Sequence, residues 1–324
     1  MTKIAFQTNT LCHRGGTGAV LDYARYNKSI LKNESVIVYP VNFNDPGVPV
    51  DSLTQQDVLH SVENEFTVFG YSTLEELDQY CKDNGIEYTY FLKYGINDGV
   101  LVPSTKNLVH AVFQAKEPHG DKYAYISKWL SESMSDGEID YVPHIVSLPK
   151  DQYTNFRELY GISDNQVVIG RIGGLTTFDI PGITQLIAEF ANSNPNYVFL
   201  FVNTKKFVDL PNVLFLDPII DLQEKTDFIL GCDAMIHARM RGESFGLAIC
   251  EALFHNKPVL AYNGGIDQHH VQLLKDTELL YRTGDELWNK LLNIKNNYPY
   301  NYSELVEQFS PENVMDKFKK VFLS

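Results

Sequence analysis

Two glutamates eight positions apart are the strongest candidates for chemistry in this sequence. Glu243 lies in a glycine-bearing loop, and Glu251 lies in an apolar, helix-like run. Because an α-helix rises ~1.5 Å per residue, helix between them would carry the second carboxylate roughly 12 Å along the axis. A helix that begins near Ser244 would also point free backbone N–H groups at a ligand, which favours a phosphate. Two carboxylates around a phosphate site suit a sugar nucleotide better than a simple hydrolase substrate.

The segment 241–251 resembles the E-x7-E motif of retaining glycosyltransferases of the GT-B fold, especially those of family 4. Residues 236–239 and 258–265 are similar to the surroundings of this motif in the same family. The resemblance implies that Glu251 holds the nucleotide ribose and that Glu243 is a catalytic residue on the sugar hydroxyls. An isolated pair of this spacing would more often be two solvated glutamates of an amphipathic helix. The resemblance adds donor-binding residues at the start of the helix: Ser244, Phe245 and Gly246.

A predicted strand ends at Gly170-Arg171-Ile172. In the family an arginine at this place binds the donor diphosphate, usually together with a lysine some residues later. Pro181 stands where that lysine is expected. The resemblance therefore implies that Arg171 is catalytic, since a guanidinium is a rigid fork of donors that stays charged. The missing charge would come from one of four other cations, or the enzyme would be weakened: Lys205, Lys206, Arg239 or Arg241.

Residues 14–18, Arg-Gly-Gly-Thr-Gly, follow the first predicted strand and open a predicted helix over about 19–31. Glycines there let the backbone approach a ligand, and the segment is similar to the N-terminal glycine loop of GT-B enzymes. On that basis Gly15 and Gly16 are donor-binding candidates, with a structural tight turn as the equal alternative. A dinucleotide fingerprint needs a third glycine where Leu21 stands, so NAD binding is disfavoured.

His110 lies in an apolar run, where a lone histidine is usually a core residue. In family 4 a histidine after a first-domain strand lies near the donor sugar, so His110 remains a catalytic candidate beside that alternative. The adjacent pair His269-His270 lacks the ligand spacing of a zinc site. The sequence contains no Asp-x-Asp, which argues against a metal-dependent transferase. We therefore expect no metal and no cofactor.

The composition describes an ordinary soluble protein, with 44% apolar and 21% charged residues among 324. A net charge of −14 argues against a nucleic-acid partner. Four dispersed cysteines indicate free thiols in a reducing compartment. No apolar run approaches the ~18 residues of a membrane span and no signal peptide is recognisable, so we expect a cytoplasmic protein.

Short apolar strands alternate with helical segments in two series, which predicts an α/β protein with parallel sheets. The resemblance implies the GT-B fold, with two Rossmann-like domains facing a ligand-binding cleft. We expect an acceptor-side domain over residues 1–150, a donor-side domain over 151–305 and a C-terminal helix over 306–324 that returns to the first domain.

These expectations combine into one function. The chain would be a metal-independent retaining glycosyltransferase that moves a sugar from a UDP- or GDP-sugar to a hydroxyl of a glycan, lipid or protein. The alternatives are a non-catalytic sugar-nucleotide binding protein, a sugar-nucleotide epimerase of the same fold, or a phosphorylase-like enzyme, for which no pyridoxal lysine can be named.

Overall fold

The computed structural model describes residues 2–13, 15–42, 53–294 and 301–324. The chain divides into two compact units. Unit 1 comprises Met1–Ile145 with Phe309–Ser324, and unit 2 comprises Val146–Gln308. In the described ranges no helix is both long enough and apolar enough to cross a bilayer.

Unit 1 contains a six-stranded parallel sheet of order β3-β2-β1-β4-β5-β6. Its strands are β1 (Lys3–Gln7), β2 (Glu34–Pro40), β3 (Thr67–Tyr71), β4 (Tyr88–Lys93), β5 (Lys106–Ala111) and β6 (Lys122–Tyr125). Its first helices are α1 (Gly15–Ser29), α2 (Gln56–Glu65), α3 (Leu74–Asp83) and α4 (Lys128–Ser135). The central strands are buried on both faces, as parallel strands covered by helices are.

The glycine segment differs from its prediction, because α1 begins at Gly15 and not near residue 19. Thr17 explains the early start. Its hydroxyl donates to the carbonyl of Thr10 (3.1 Å) and accepts from the backbone N–H of Cys12 (3.3 Å). These bonds tie the first turn of α1 to the segment that follows β1. Arg14, which precedes this turn, lies outside the described residues.

Unit 2 contains a second six-stranded parallel sheet of order β14-β12-β10-β7-β8-β9. Its strands are β7 (Val167–Ile172), β8 (Tyr197–Val202), β9 (Val213–Leu216), β10 (Ala234–His237), β12 (Val259–Tyr262) and β14 (Leu280–Tyr281), and a separate parallel pair joins β11 (Gly242–Glu243) to β13 (Asp267–Gln268). Its helices are α5 (Phe156–Leu159), α6 (Ile183–Ser193), α7 (Leu222–Gly231), α8 (Leu247–Phe254), α9 (His269–Leu274) and α10 (Gly284–Leu292).

The last helix, α11 (Pro311–Phe322), belongs to unit 1. Its apolar side chains join the core cluster that also contains Phe6, Tyr23 and Tyr90. Phe318 lies 5.4 Å from the ring of Tyr23 and 5.7 Å from that of Tyr90. The C-terminal helix thus returns to the first unit, as the predicted fold requires.

Candidate functional site

The strand order of unit 2 locates a candidate site before any side chain is considered. The order reverses between β7 and β10, which pair at Met235 and Gly170. In open parallel sheets, ligands bind beyond the carboxyl ends of the strands at such a reversal. Arg171 lies at the end of β7 and His237 ends β10. The predicted catalytic residues Arg171 and Glu243 therefore fall at this edge.

The carboxylate of Glu243 is held on both oxygens. His237 Nε2 lies 2.9 Å from Oε1, and Arg239 Nη1 donates to Oε2 over 3.0 Å. Burial alone would raise the pKa of Glu243, but the hydrogen bond from His237 and the charges of His237 and Arg239 lower it to about 2. Glu243 is therefore ionised at neutral pH, which makes it a hydrogen-bond acceptor and a weak proton acceptor.

Backbone geometry fixes the loop that presents Glu243. Gly242 has φ 77°, and a side chain there would meet the carbonyl oxygen of Asp267 at 2.0 Å. The β11–β13 pair places Glu243 opposite Gln268. His270 Nδ1 accepts from the backbone N–H of Glu243 (3.3 Å), so its Nε2 donates to the carbonyl of Tyr262 (2.9 Å). This arrangement requires a neutral His270, and burial and the charge of His237 lower its pKa to about 4.

Helix α8 begins immediately after this loop. Gly246 precedes it with φ 86°, and no side chain caps the first turn. A Cβ at Gly246 would lie 3.2 Å from Cβ of Glu243, so the helix start packs directly against that side chain. Phe245 is buried and its ring stacks on His269 at 5.1 Å. The side chain of Phe245 is therefore packed in the protein and not available to a ligand, whereas Ser244 is half-buried in the loop.

Glu251 lies on α8, beyond the helix start. Lys225 Nζ on α7 donates to Oε1 of Glu251 over 2.9 Å. The two side chains are 18% and 13% exposed. The structure thus places one carboxylate just before the start of α8 and another more than a turn into the helix, each already paired with a cation.

Arg171 lies at the carboxyl edge of the unit 2 sheet, as predicted, but its guanidinium is hydrogen-bonded to other groups of the protein. Nη1 donates to the carbonyl of Asn203 (3.0 Å) and to Thr204 Oγ1 (2.5 Å). Nη2 donates to the carbonyl of Gly174 (2.9 Å) and to Thr177 Oγ1 (2.7 Å). Arg171 is 3% exposed, and this burial lowers its pKa to about 10. Arg171 joins the loops after β7 and β8 and offers little to a ligand in this conformation.

The other predicted donor contacts differ in their surroundings. Arg241 Nε donates to Asp267 Oδ2 over 2.6 Å, and Asp267 is buried. Lys205 is exposed on the loop after β8. Gly15 and Gly16 belong to unit 1, where they form the exposed first turn of α1. The structure therefore ties Arg241 to the strand pair that presents Glu243, whereas the two glycines belong to the other unit.

His110 is a core residue of unit 1. It is 0% exposed on β5, and both of its ring nitrogens have partners. Tyr90 Oη lies 2.7 Å from Nδ1, and the carbonyl of Val142 accepts from Nε2 over 2.7 Å. Burial lowers its pKa to about 4. These contacts correspond to the core alternative, and nothing in them supports the predicted catalytic role.

The structure places two further residues, His237 and Lys225, on the carboxylates. The sequence indicates His237 only within a segment similar to the family, and no pattern in it indicates Lys225. No local pattern could have revealed Lys225, because it lies 26 positions before Glu251 on another helix. In the described part of the chain, no group of three or more potential ligand side chains is arranged to hold a metal ion.

Solved structures with the same architecture include several glycosyltransferases. Anabaena HepE in complex with UDP-glucose has a TM-score of 0.73 and 14% identity over 99% of each chain. A glycosyltransferase from Rickettsia africae ESF-5 has a TM-score of 0.70 and 13% identity, over 99% of this chain and 98% of that one. WaaG, a glycosyltransferase involved in lipopolysaccharide biosynthesis, has a TM-score of 0.62 and 10% identity over the full length of both chains.

This chain has the GT-B fold. The fold class predicted from the sequence is therefore confirmed. No family model matches the sequence. A search of curated proteins also finds no match. At 10–14% identity, the GT-B neighbours establish the fold, and activity must be argued from the site.

Proposed function

We propose that this chain is a metal-independent, retaining glycosyltransferase of the family 4 type that uses a nucleoside diphosphate sugar. The observation that carries the proposal is the pair of ion-paired carboxylates, with Glu243 just before the uncapped start of α8 and Glu251 within that helix. The GT-B fold supports it, as do HepE structures that contain UDP-glucose or UDP with glucose. UDP is therefore the first nucleotide to test.

Each part of this site has a role in the proposed reaction. Glu251 accepts hydrogen bonds from the ribose hydroxyls, and Glu243 accepts them from the donor sugar. The N–H groups at the start of α8 stabilise the diphosphate, whose charge grows as its bond to the anomeric carbon breaks. The acceptor hydroxyl oxygen bonds to that carbon, and its proton passes to the departing phosphate. Glu243, whose pKa is about 2, is unsuited to remove that proton.

The acceptor is a hydroxyl of a glycan, lipid or protein in this proposal. We also propose a cytoplasmic location, because the four cysteines are all free and buried, as is common in a reducing compartment.

A donor and acceptor screen tests the function. The protein is incubated with UDP-, GDP- and ADP-sugars, with and without acceptor panels, in buffer containing excess EDTA. We expect one nucleoside diphosphate to be released, and an acceptor to stimulate this release. The anomeric configuration of the product, axial or equatorial by NMR, should match that of the donor sugar. An inverted linkage contradicts retention, and loss of activity with EDTA contradicts metal independence.

A second candidate is a non-catalytic sugar-nucleotide binding protein. Arg171 favours it, because a guanidinium whose Nη1 and Nη2 both donate to loop carbonyls and hydroxyls is not available to a leaving group. Such a protein would bind a nucleotide sugar in calorimetry and leave it intact over long incubation. NMR of the recovered sugar would show a third outcome, epimerisation.

A further inference from the structure

A diphosphate at the start of α8 needs a side-chain cation. A helix N-terminus supplies only about half an elementary charge, whereas a diphosphate carries at least two. The need for this cation depends on the proposed donor binding.

Most cations near this edge already donate to protein acceptors. Arg171 is used by the loops after β7 and β8. The remaining pairs are Arg241 with Asp267, Lys206 with Asp209 and Lys225 with Glu251. Withdrawing Arg171 or Arg241 would leave buried acceptors unpaired, which costs stability.

Arg239 differs from Arg171, because a single hydrogen bond to protein holds its guanidinium. Nη1 donates to Glu243 Oε2 over 3.0 Å, and the side chain is 25% exposed. In the described part of the chain its other N–H groups have no hydrogen-bond partner. Because Glu243 also packs against Gly246, the guanidinium and the helix start contact the same side chain.

Glu243 would remain held if Arg239 left it. His237 Nε2 lies 2.9 Å from Oε1, the other carboxylate oxygen. Departure of Arg239 would therefore free Oε2 as an acceptor without releasing the carboxylate from the loop.

We propose that Arg239 is the diphosphate-binding cation of this chain and that it exchanges Glu243 for the diphosphate when the donor binds. Glu243 Oε2 then accepts a hydroxyl of the donor sugar, so that the sugar is recognised only when the diphosphate is in place.

Calorimetry with UDP and ligand-observed NMR with uridine test this role, using Arg239→Ala and Arg239→Lys. Arg282→Ala is the matched control, because Arg282 is an exposed arginine of the same unit outside the proposed site. We expect Arg239→Ala to weaken UDP binding by ~10–100-fold, the loss typical of a charge-assisted hydrogen bond, and to leave uridine binding unchanged. Arg239→Lys should recover part of the loss, because an ammonium lacks the forked geometry.

Each other result overturns the proposal in a distinguishable way. Unchanged UDP affinity in Arg239→Ala removes Arg239 from the diphosphate. An equal loss for UDP and uridine indicates damage to the whole site. A loss in Lys205→Ala, with none in Arg239→Ala, assigns the diphosphate to Lys205. Wild-type protein that binds none of UDP, GDP and ADP removes the donor site itself, and the role of Arg239 with it.

Discussion

Lys225 Nζ donates to Glu251 Oε1 over 2.9 Å and thereby joins α7 to α8 at the residue expected to bind ribose. In the described part of the chain, Oε2 of Glu251 has no hydrogen-bond partner. The pair therefore fixes one carboxylate oxygen and leaves the other as an acceptor. A lysine at this distance also neutralises the glutamate, which reduces its repulsion of a nearby diphosphate.

Glu251→Ala should weaken UDP binding by ~1.5–3 kcal/mol, the range for hydrogen bonds to charged groups. Calorimetry measures the change, and Glu189→Ala is the control because Glu189 is an exposed helical glutamate of the same unit. If folded Glu251→Ala binds UDP as tightly as the control, Glu251 does not contact the nucleotide.

Arg171→Ala should destabilise the protein by about 2–4 kcal/mol, because it leaves buried and part-buried carbonyl and hydroxyl acceptors in two loops without a donor. Arg171→Lys should recover only part of this stability, because a lysine cannot reach both loops at once. Urea unfolding measures both changes. Unchanged stability with a turnover reduced ~100-fold would instead support the catalytic role predicted from the sequence.

The fold could be predicted from the sequence, and so could the placement of Glu243 before a helix and Glu251 within it, because both follow from local patterns. The alternation of buried strands and helices is a local pattern, and Glu243 and Glu251 are close in the chain. The direction of Arg171 could not be predicted, because it depends on acceptors in two separate loops. A position at the end of a strand indicates where the backbone of a residue lies, but it does not indicate which groups the side chain contacts.

The contacts made by His237 could not be predicted from the sequence, for a related reason. His237 belongs to β10 and Glu243 to β11, and the two meet only after the intervening loop has folded. In unit 1, the role of His110 could not be decided from the sequence either. Its apolar neighbours allowed a core role and a site role, and its two partners, Tyr90 and Val142, lie on separate segments.

Acid should destabilise unit 1 through His110. Burial lowers its pKa from 6.5 to about 4, so the unfolded chain takes up the proton first as pH falls. The stabilisation from keeping this histidine neutral is complete above pH 6.5 and is lost as pH falls toward 4. At pH 5 the loss amounts to roughly 2 kcal/mol. The aromatic and titratable groups around it are Tyr23, Tyr90, His144 and Phe322.

Urea unfolding at pH 8 and pH 5 checks this linkage by comparing wild type with His110→Gln. The variant should be less stable at pH 8 and should lose about 2 kcal/mol less than wild type between the two pH values. His60→Gln is the control, because His60 is exposed on α2. Equal pH dependence in wild type and His110→Gln would show that His110 does not contribute.

Gly246 and Gly182 provide a matched test of the contact between α8 and Glu243. Both glycines precede a helix with positive φ, 86° before α8 and 78° before α6. A Cβ at Gly182 meets nothing within 4 Å, whereas a Cβ at Gly246 lies 3.2 Å from Glu243 Cβ and 3.3 Å from its Cγ. Alanine at either position should cost ~1–2 kcal/mol of backbone strain.

Only Gly246→Ala should also displace the Glu243 carboxylate, by a few tenths of an ångström. Since misplacement by 1 Å can cost about 100-fold, we expect turnover to fall roughly 10-fold in Gly246→Ala and to change little in Gly182→Ala. Turnover is measured at saturating donor, and urea unfolding verifies that the two variants lose similar stability. Equal turnover in the two variants would mean that the position of Glu243 against the helix start does not control the reaction.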